Sequence, residues 1–262
     1  MPELPDVEVF KKYLDSTSLQ KNIEKVEVEN PKILEDITVE ELKNKIEGKK
    51  FKKSRRHGKY LFVEINDNNW LILHFGMTGE LKFYKEKSEQ PDHARIIFHF
   101  DNGYRLAFDC QRLLGIVSLT DSVDDFIEKK QLGVDALDIN QKDFLELLNN
   151  RRGTIKSALM NQKIVAGVGN IYSDEILFQT DLHPKSKVKN IDEKTLSKIY
   201  SSMKEVMKVA IDNNVNPEEF PENYLLLYRD VGNKCPKDDG EIQRVKVSGR
   251  SAYYCPKHQK KI

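Results

Sequence analysis

The 262-residue sequence offers little from which to build a disulfide framework: its only cysteines are Cys110, Cys235 and Cys255. An odd, sparse set of thiols fits a reducing compartment and directs attention to metal ligation rather than cross-linking. No apolar run approaches the roughly 20 residues needed to cross a bilayer. The opening MPELPDVEVF lacks the basic and apolar segments of a secretory leader. These absences point to a cytoplasmic protein, nucleoid-associated if prokaryotic, with no membrane partner. Internal repeats and low-complexity tracts are also missing. With 39% hydrophobic and 32% charged residues, the chain can bury a core and stay soluble. Its net charge of +1 says little by itself. Charge is instead local: KKFKKSRRHGK (Lys49 to Lys59) and the tail from Lys234 are basic, while Asp121 to Glu146 is acidic. Such patches serve either as solvated faces or as a phosphate footprint.

The pattern predicts a short helix over 6–17, with Pro5 at its start. From about 23 to 119 it is mostly strand-like. Lys59 to Ile65, Trp70 to Phe75, Glu80 to Tyr84, Arg95 to Phe100 and Arg105 to Asp109 alternate or run apolar, with turn signals at Asn66 to Asn69, Gly76 and Asp101 to Gly103. Several short strands at this spacing predict a β-sandwich or barrel. Leu132 to Asp138 reads as a loop or hinge. Helical periodicity follows at Asp143 to Asn150, Thr154 to Asn161 and Ile171 to Gln179, and is longest at Asp192 to Asn213. The basic, turn-rich end from Val231 predicts a hairpin. Cys110 falls on a strand and is expected to be a small buried residue.

Two residues at the start can carry chemistry. The small Pro2 permits removal of Met1, which leaves a secondary amine titrating near neutrality, roughly 7.7–8 for an ordinary α-amino group. Attack of that amine on a sugar C1′ gives an iminium ion, an electron sink that acidifies C2′ and makes elimination of the 3′ phosphate feasible. The adjacent Glu3 can protonate the opening sugar oxygen or shuttle protons. With Met1 in place the Pro2 nitrogen is an amide and this chemistry is closed. A Met-Pro start beside an acid is by itself ordinary.

The start MPELPDVEV strongly resembles that of the formamidopyrimidine-DNA glycosylase and endonuclease VIII family, nearer the formamidopyrimidine branch at Leu4 and Val7 to Val9. Four more segments match in order: HGKYLF (His57 to Phe62), HFGMTGEL (His74 to Leu81), IKSALMNQKIVAGVGNIYSDEILF (Ile155 to Phe178) and GRSAYYCPKHQ (Gly249 to Gln259). The resemblance implies an α+β fold. An N-terminal β-sandwich with a flanking helix is followed by a helical helix–two-turn–helix domain that ends in a β-hairpin zinc finger. The boundaries read from the sequence are 1–131, a hinge at 132–138, 139–229 and 230–262. The resemblance further implies a bifunctional DNA glycosylase and abasic-site lyase of base excision repair, acting as a monomer on double-stranded DNA that contains oxidised bases or abasic sites. Pro2 would be the nucleophile, Glu3 the general acid/base, and Lys59 a grip on the phosphates that also helps in catalysis. Asn170 and Arg250 would hold phosphates, Met77, Arg112 and Leu114 would enter the gap left by the flipped nucleotide, and His74, Lys156 and Tyr172 match further DNA-contact positions. A catalytically inactive damage-binding protein of the same fold is the competing reading. An RNA-binding module would leave Pro2 and Glu3 unexplained.

Three departures from the family pattern bear on function. Its finger normally has two Cys-x2-Cys pairs; here Cys235 is followed by Asp238, and Cys255 by His258. Zinc accepts all three ligand types, so one structural zinc on Cys235, Asp238, Cys255 and His258 is expected, with Asp239 an alternative ligand and a zinc-free hairpin the competing reading. Leu114 stands where members recognising 8-oxoguanine usually have phenylalanine, which loses an aromatic stack on the opposite strand. Asn213 to Tyr228 looks shorter than the usual loop that caps 8-oxoguanine, which favours hydantoins, formamidopyrimidines or oxidised pyrimidines as substrates. Asp6 stands where glutamate is more usual.

Overall fold

The computed structural model describes residues 1–66, 68–149 and 151–262. The chain divides into two compact units, one of residues 1–2 and 6–131, the other of residues 3–5 and 132–262.

The first unit holds most of α1 (Leu4–Thr17), then β1 (Ile23–Val28), α2 (Val39–Ile46), β2 (Lys53–His57), β3 (Tyr60–Asn66), β4 (Asn69–His74), β5 (Gly79–Tyr84), β6 (Ala94–Phe100), β7 (Arg105–Cys110), β8 (Ile116–Thr120) and α3 (Val123–Lys129). The strands form two four-stranded antiparallel sheets, ordered β1-β6-β7-β5 and β2-β3-β4-β8. Their inner faces share one core that includes Leu61, Val63, Ile65, Leu71, Leu73, Phe98 and Phe108. β3 and β4 are apolar on both faces because Phe62 and Ile72 pack outward against Val123 and Phe126 of α3. The expected strands are present to within a residue or two. Two helices were not expected, α2 within the stretch read as strand-like and α3 just beyond it. α2 is started by a capping box between Thr38 and Glu41, and α3 by Ser122, whose hydroxyl accepts from the Asp125 N–H. α1 begins two residues earlier than expected, with Pro5 inside its first turn, where no N–H is needed. Of the expected turn at 66–69, Asp67 lies outside the described residues, as does Asn150 at the end of the expected helix from Asp143.

The second unit contains β9 (Val134–Asp135), α4 (Gln141–Leu148), α5 (Ile155–Leu159), β10 (Val165–Ala166), α6 (Asn170–Gln179), α7 (Glu193–Asp212), β11 (Gln243–Val247) and β12 (Arg250–Tyr254). The stretch read as a hinge contains β9, which pairs in parallel with β10. Both ends of α7 follow the sequence signals, with the Asp192 carboxylate accepting from the Thr195 N–H and Asn213 closing the helix. Its buried stripe, Leu196, Ile199, Met203, Val206, Met207 and Ala210, joins Ile176 and Leu177 of α6 in the core, together with Leu4. β11 and β12 form the expected terminal hairpin. Among the described residues no helix is long and apolar enough to cross a membrane.

Glu175 of α6 is fully buried and fastens the segment after α7, accepting from the Leu225 and Leu226 N–H groups and from Gln179 Nε2. Burial pushes its carboxyl up to about 7 despite these bonds. The folded state therefore holds a proton that the unfolded chain releases near 4.5, so this stabilisation is full below about pH 4.5 and is lost as pH rises toward 7. Thermal melts from pH 4.5 to 7.5 will show a decline that Glu175→Gln flattens; parallel curves for the two proteins would refute the assignment.

Candidate active site

In the first unit the expected residues gather at the ends of β3, β4 and β7. His57 and Tyr60 pair across the two-residue turn Gly58–Lys59, with positive φ at Gly58, which suits glycine at the first turn position. This turn sets Lys59 near His74 at the end of β4, and Lys59 is only 8% exposed. Burial first, and then the Lys59 charge, lower His74 to about 4. His74 is thus neutral at physiological pH. Its Nδ1 accepts from the Gly76 N–H, which leaves Nε2–H as the donor.

Met77 and Leu114 are exposed apolar side chains on two loops that touch. Gly76 has φ +58, and a Cβ there would lie 2.2 Å from the Leu114 carbonyl oxygen. The Arg112 N–H donates to Thr78 Oγ1 at 3.1 Å, a second tie between the same loops. Arg112 itself is exposed. One projection therefore carries two apolar tips and a cation.

In the second unit Glu3 is buried, and its carboxylate accepts from the Gly169, Ile171 and Tyr172 N–H groups at 2.7, 2.8 and 3.3 Å. It thereby caps the N-terminus of the ten-residue α6, whose N-cap Gly169 has no side chain to do so. The Leu4 N–H donates to the Gly167 carbonyl, and a Cβ on Gly167 would meet Leu4 Cδ1 at 2.5 Å. That turn is also held by Gln162, which bonds the Gly167 N–H and the Val168 carbonyl. At the head of α6, Asn170 Oδ1 is a buried acceptor without a hydrogen-bond partner among the described residues.

Lys156 and Tyr172, expected to contact DNA, have buried side chains. Tyr172 packs in the hydrophobic core. Lys156 is wholly buried; its ammonium donates to Asp174 Oδ1 at 2.6 Å, the Asn170 carbonyl at 2.8 Å and Ser173 Oγ at 2.9 Å. Burial lowers Lys156 from the ordinary lysine value, against the pull of Asp174. Asp174 Oδ2 accepts two bonds from the Arg229 guanidinium, at 3.0 and 2.7 Å, and one from the Tyr253 N–H at 3.2 Å. One carboxylate thus joins α5, α6, Arg229 and β12. Asp174, Arg229 and Gln162 were not singled out from the sequence, where nothing marks a side chain whose partners lie 55 and 79 residues away. β12 opens with the exposed Arg250, whose Nη1 lies 3.5 Å from Met160 Sδ.

Beyond the hairpin, Cys235, Asp238, Cys255 and His258 bring one ligand atom each within 4.8 Å of one another. Cys255 Sγ lies 3.2 Å from Asp238 Oδ1, Cys235 Sγ 3.7 Å from His258 Nδ1, and His258 Nδ1 2.8 Å from Asp238 Oδ2. Bonds of about 2.0–2.3 Å to a central zinc demand ligand separations of this order. His258 Nε2 is buried without a hydrogen-bond partner among the described residues, 3.7 Å from Asp181 Oδ1, where an outer carboxylate would orient a ligating imidazole. The donor set fits a tetrahedral metal, with Asp238 rather than Asp239 in the group.

Residues 1–117 match the formamidopyrimidine-DNA glycosylase N-terminal domain, and residues 132–218 the H2TH domain of the same enzymes. A formamidopyrimidine-DNA glycosylase of Desulforamulus reducens is 34% identical, with 99% of both chains covered. The chain belongs to the formamidopyrimidine-DNA glycosylase family. A namesake from Pelotomaculum thermopropionicum is 32% identical, again over 99% of both chains. Among solved structures, the Lactococcus lactis enzyme non-covalently bound to DNA containing an abasic site superposes with a TM-score of 0.90 at 29% identity, covering 99% of this chain and 100% of that one. The same enzyme bound to Fapy-dG-containing DNA gives the same values. The family's β-sandwich, H2TH helices and terminal hairpin are therefore this chain's fold.

Removing one partner from a buried ion pair costs about 3–5 kcal/mol. Asp174→Ala will destabilise the protein by that order in urea unfolding, far more than removal of the exposed pair partner Glu146. Equal effects would contradict the central role given to Asp174.

Proposed function

We propose that the chain is a bifunctional DNA glycosylase that removes oxidised bases and then cuts the strand at the abasic site. The observation that carries this reading is Pro2 beside Glu3, whose carboxylate is held by three backbone N–H groups at the head of α6. Fixing Glu3 restricts the residue covalently attached to it. After loss of Met1, the Pro2 nitrogen attacks C1′ and the base leaves with the electrons of the glycosidic bond. The Glu3 carboxylate takes the proton that the Pro2 nitrogen sheds and delivers it to the ring oxygen, and ring opening gives an iminium ion. Loss of a C2′ proton then expels the 3′ phosphate.

The remaining residues bind and position the DNA. Lys59 and the neutral Nε2–H of His74 suit phosphate oxygens, as do Asn170 and Arg250. Met77 and Leu114 would fill the space of an extruded nucleotide while Arg112 meets the orphaned base. Cys235, Asp238, Cys255 and His258 would hold one zinc, which supplies a structural cross-link at the base of the Arg250 hairpin and takes no part in the reaction. The short segment between α7 and the finger favours hydantoins, formamidopyrimidines and oxidised pyrimidines over 8-oxoguanine; single-lesion duplexes measure this, and fast removal of 8-oxoguanine opposite cytosine would reject it.

Borohydride will trap a protein–DNA adduct with tag-free enzyme whose intact mass lacks Met1. Pro2→Gly or Glu3→Gln will slow trapping at least about 100-fold. Equal trapping by protein that retains Met1 refutes the mechanism, and DNA binding without trapping supports a damage-binding protein instead.

The purified protein will carry close to one zinc per chain by elemental analysis. Chelation will lower the melting temperature and weaken DNA binding, and Cys255→Ser will reproduce both effects. Full thermal stability and affinity in a metal-free preparation would favour a hairpin held by packing alone.

A further inference from the structure

The second unit contains a cationic pocket that the reading above does not use. Lys185, Lys187, Lys246 and Lys261 line a cavity of about 250 Å³ together with Thr154 and Ser248, and no carboxylate side chain lines it. None of the four ammonium groups has an ion-pair partner among the described residues. The Ile262 carbonyl end, which accepts from the Lys187 N–H, lies beside it, and even a terminal carboxylate there leaves the cluster net positive. Like charges gathered without counter-charge repel one another, and a bound anion relieves that repulsion.

The walls are fixed by backbone. The Ile155 N–H donates to the Ser186 carbonyl and the Val188 N–H to the Gly153 carbonyl, while the chain end is laced to 181–187 by bonds from His183 to Lys260 and from Lys187 to Ile262. Lys185, in the turn closed by the bond from the Ser186 N–H to the His183 carbonyl, and Lys187 just after it both line the pocket. A run of hydroxyls, Thr154 to Ser157 at 2.7 Å and Ser157 to Ser248 at 2.6 Å, ties the α5 entry to the hairpin turn. The nearby His183 is lowered by burial and then by the charges of Lys261 and Lys185, so the local potential is positive.

We propose that this pocket is a second phosphate site, which takes a phosphodiester of the DNA strand beyond those held by Arg250 and Asn170. Ser248 and Arg250 are two residues apart, so their backbones lie within about 7 Å. Phosphates at the two places can therefore belong to one strand. The proposal rests on the DNA-binding reading and extends its footprint past the hairpin turn.

The test is the salt dependence of binding to a duplex bearing a stable abasic analogue, for wild type and for a variant with Lys185→Gln, Lys187→Gln, Lys246→Gln and Lys261→Gln. These side chains make no ion pairs, so the variant will fold, and its melting temperature serves as the check. Neutralising one phosphate contributes about 0.9 to the slope of log K against log salt. The variant's slope will be shallower by about that amount per phosphodiester held, and its affinity at 0.15 M salt about 3- to 10-fold lower. Borohydride trapping at saturating DNA will keep its wild-type rate. Shortening the duplex on the hairpin side will erase the difference between the two proteins. An unchanged slope in a folded variant, with wild type binding and trapping normally, overturns the pocket and leaves the enzyme reading intact. Inorganic phosphate that shifts the His183 ring resonances while the DNA slope stays unchanged also overturns it, because the pocket is then a free-anion site. Failure of wild type to bind DNA at all overturns both readings.

Discussion

A carboxylate at the third position of the chain satisfies a helix that begins at residue 170. That single constraint organises the rest. A helix that opens on glycine has unpaired N–H groups and a positive end, and nothing in its own sequence neutralises them. Glu3 supplies the missing acceptor. Since Leu4 is simultaneously packed against Gly167, the first residues of the chain behave as part of the second unit's core. The consequence is positional: Pro2 is attached to a residue that cannot wander.

The middle of α6 and its flank repeat the theme with higher stakes. Lys156, Asp174 and Arg229 form a buried charged cluster, and Lys156 also binds the carbonyl of Asn170. The order at Asn170 therefore depends on groups no ligand touches. Buried charge of this kind is tolerated only when every partner is in place. It confers definition on the element that carries Asn170, and it links that element to β12. Lys156 matches a family DNA-contact position in sequence, yet acts from underneath.

What could be read from the sequence divides along physical lines. β3 and β4 were legible because burial on both faces leaves a continuous apolar run, and α7 because its stripe repeats over 20 residues between clear capping residues. α2 and α3 were not, since seven or eight residues give too little periodicity to stand out from surrounding strands; their capping residues, Thr38 with Glu41 and Ser122 with Asp125, were the available signal. The metal-ligand spacing was legible because a hairpin returns its two ends to one place. Burial of Lys156 and Tyr172 was not, because a motif match reports that a position matters without saying which way its side chain points.

The loops bearing Met77 and Leu114 have no clearance between them at Gly76. No side chain can be added at 76 without displacing the backbone at 114–115. Variation at 76–78 and at 112–115 should therefore be epistatic, so that the two loops change as a matched set rather than one at a time.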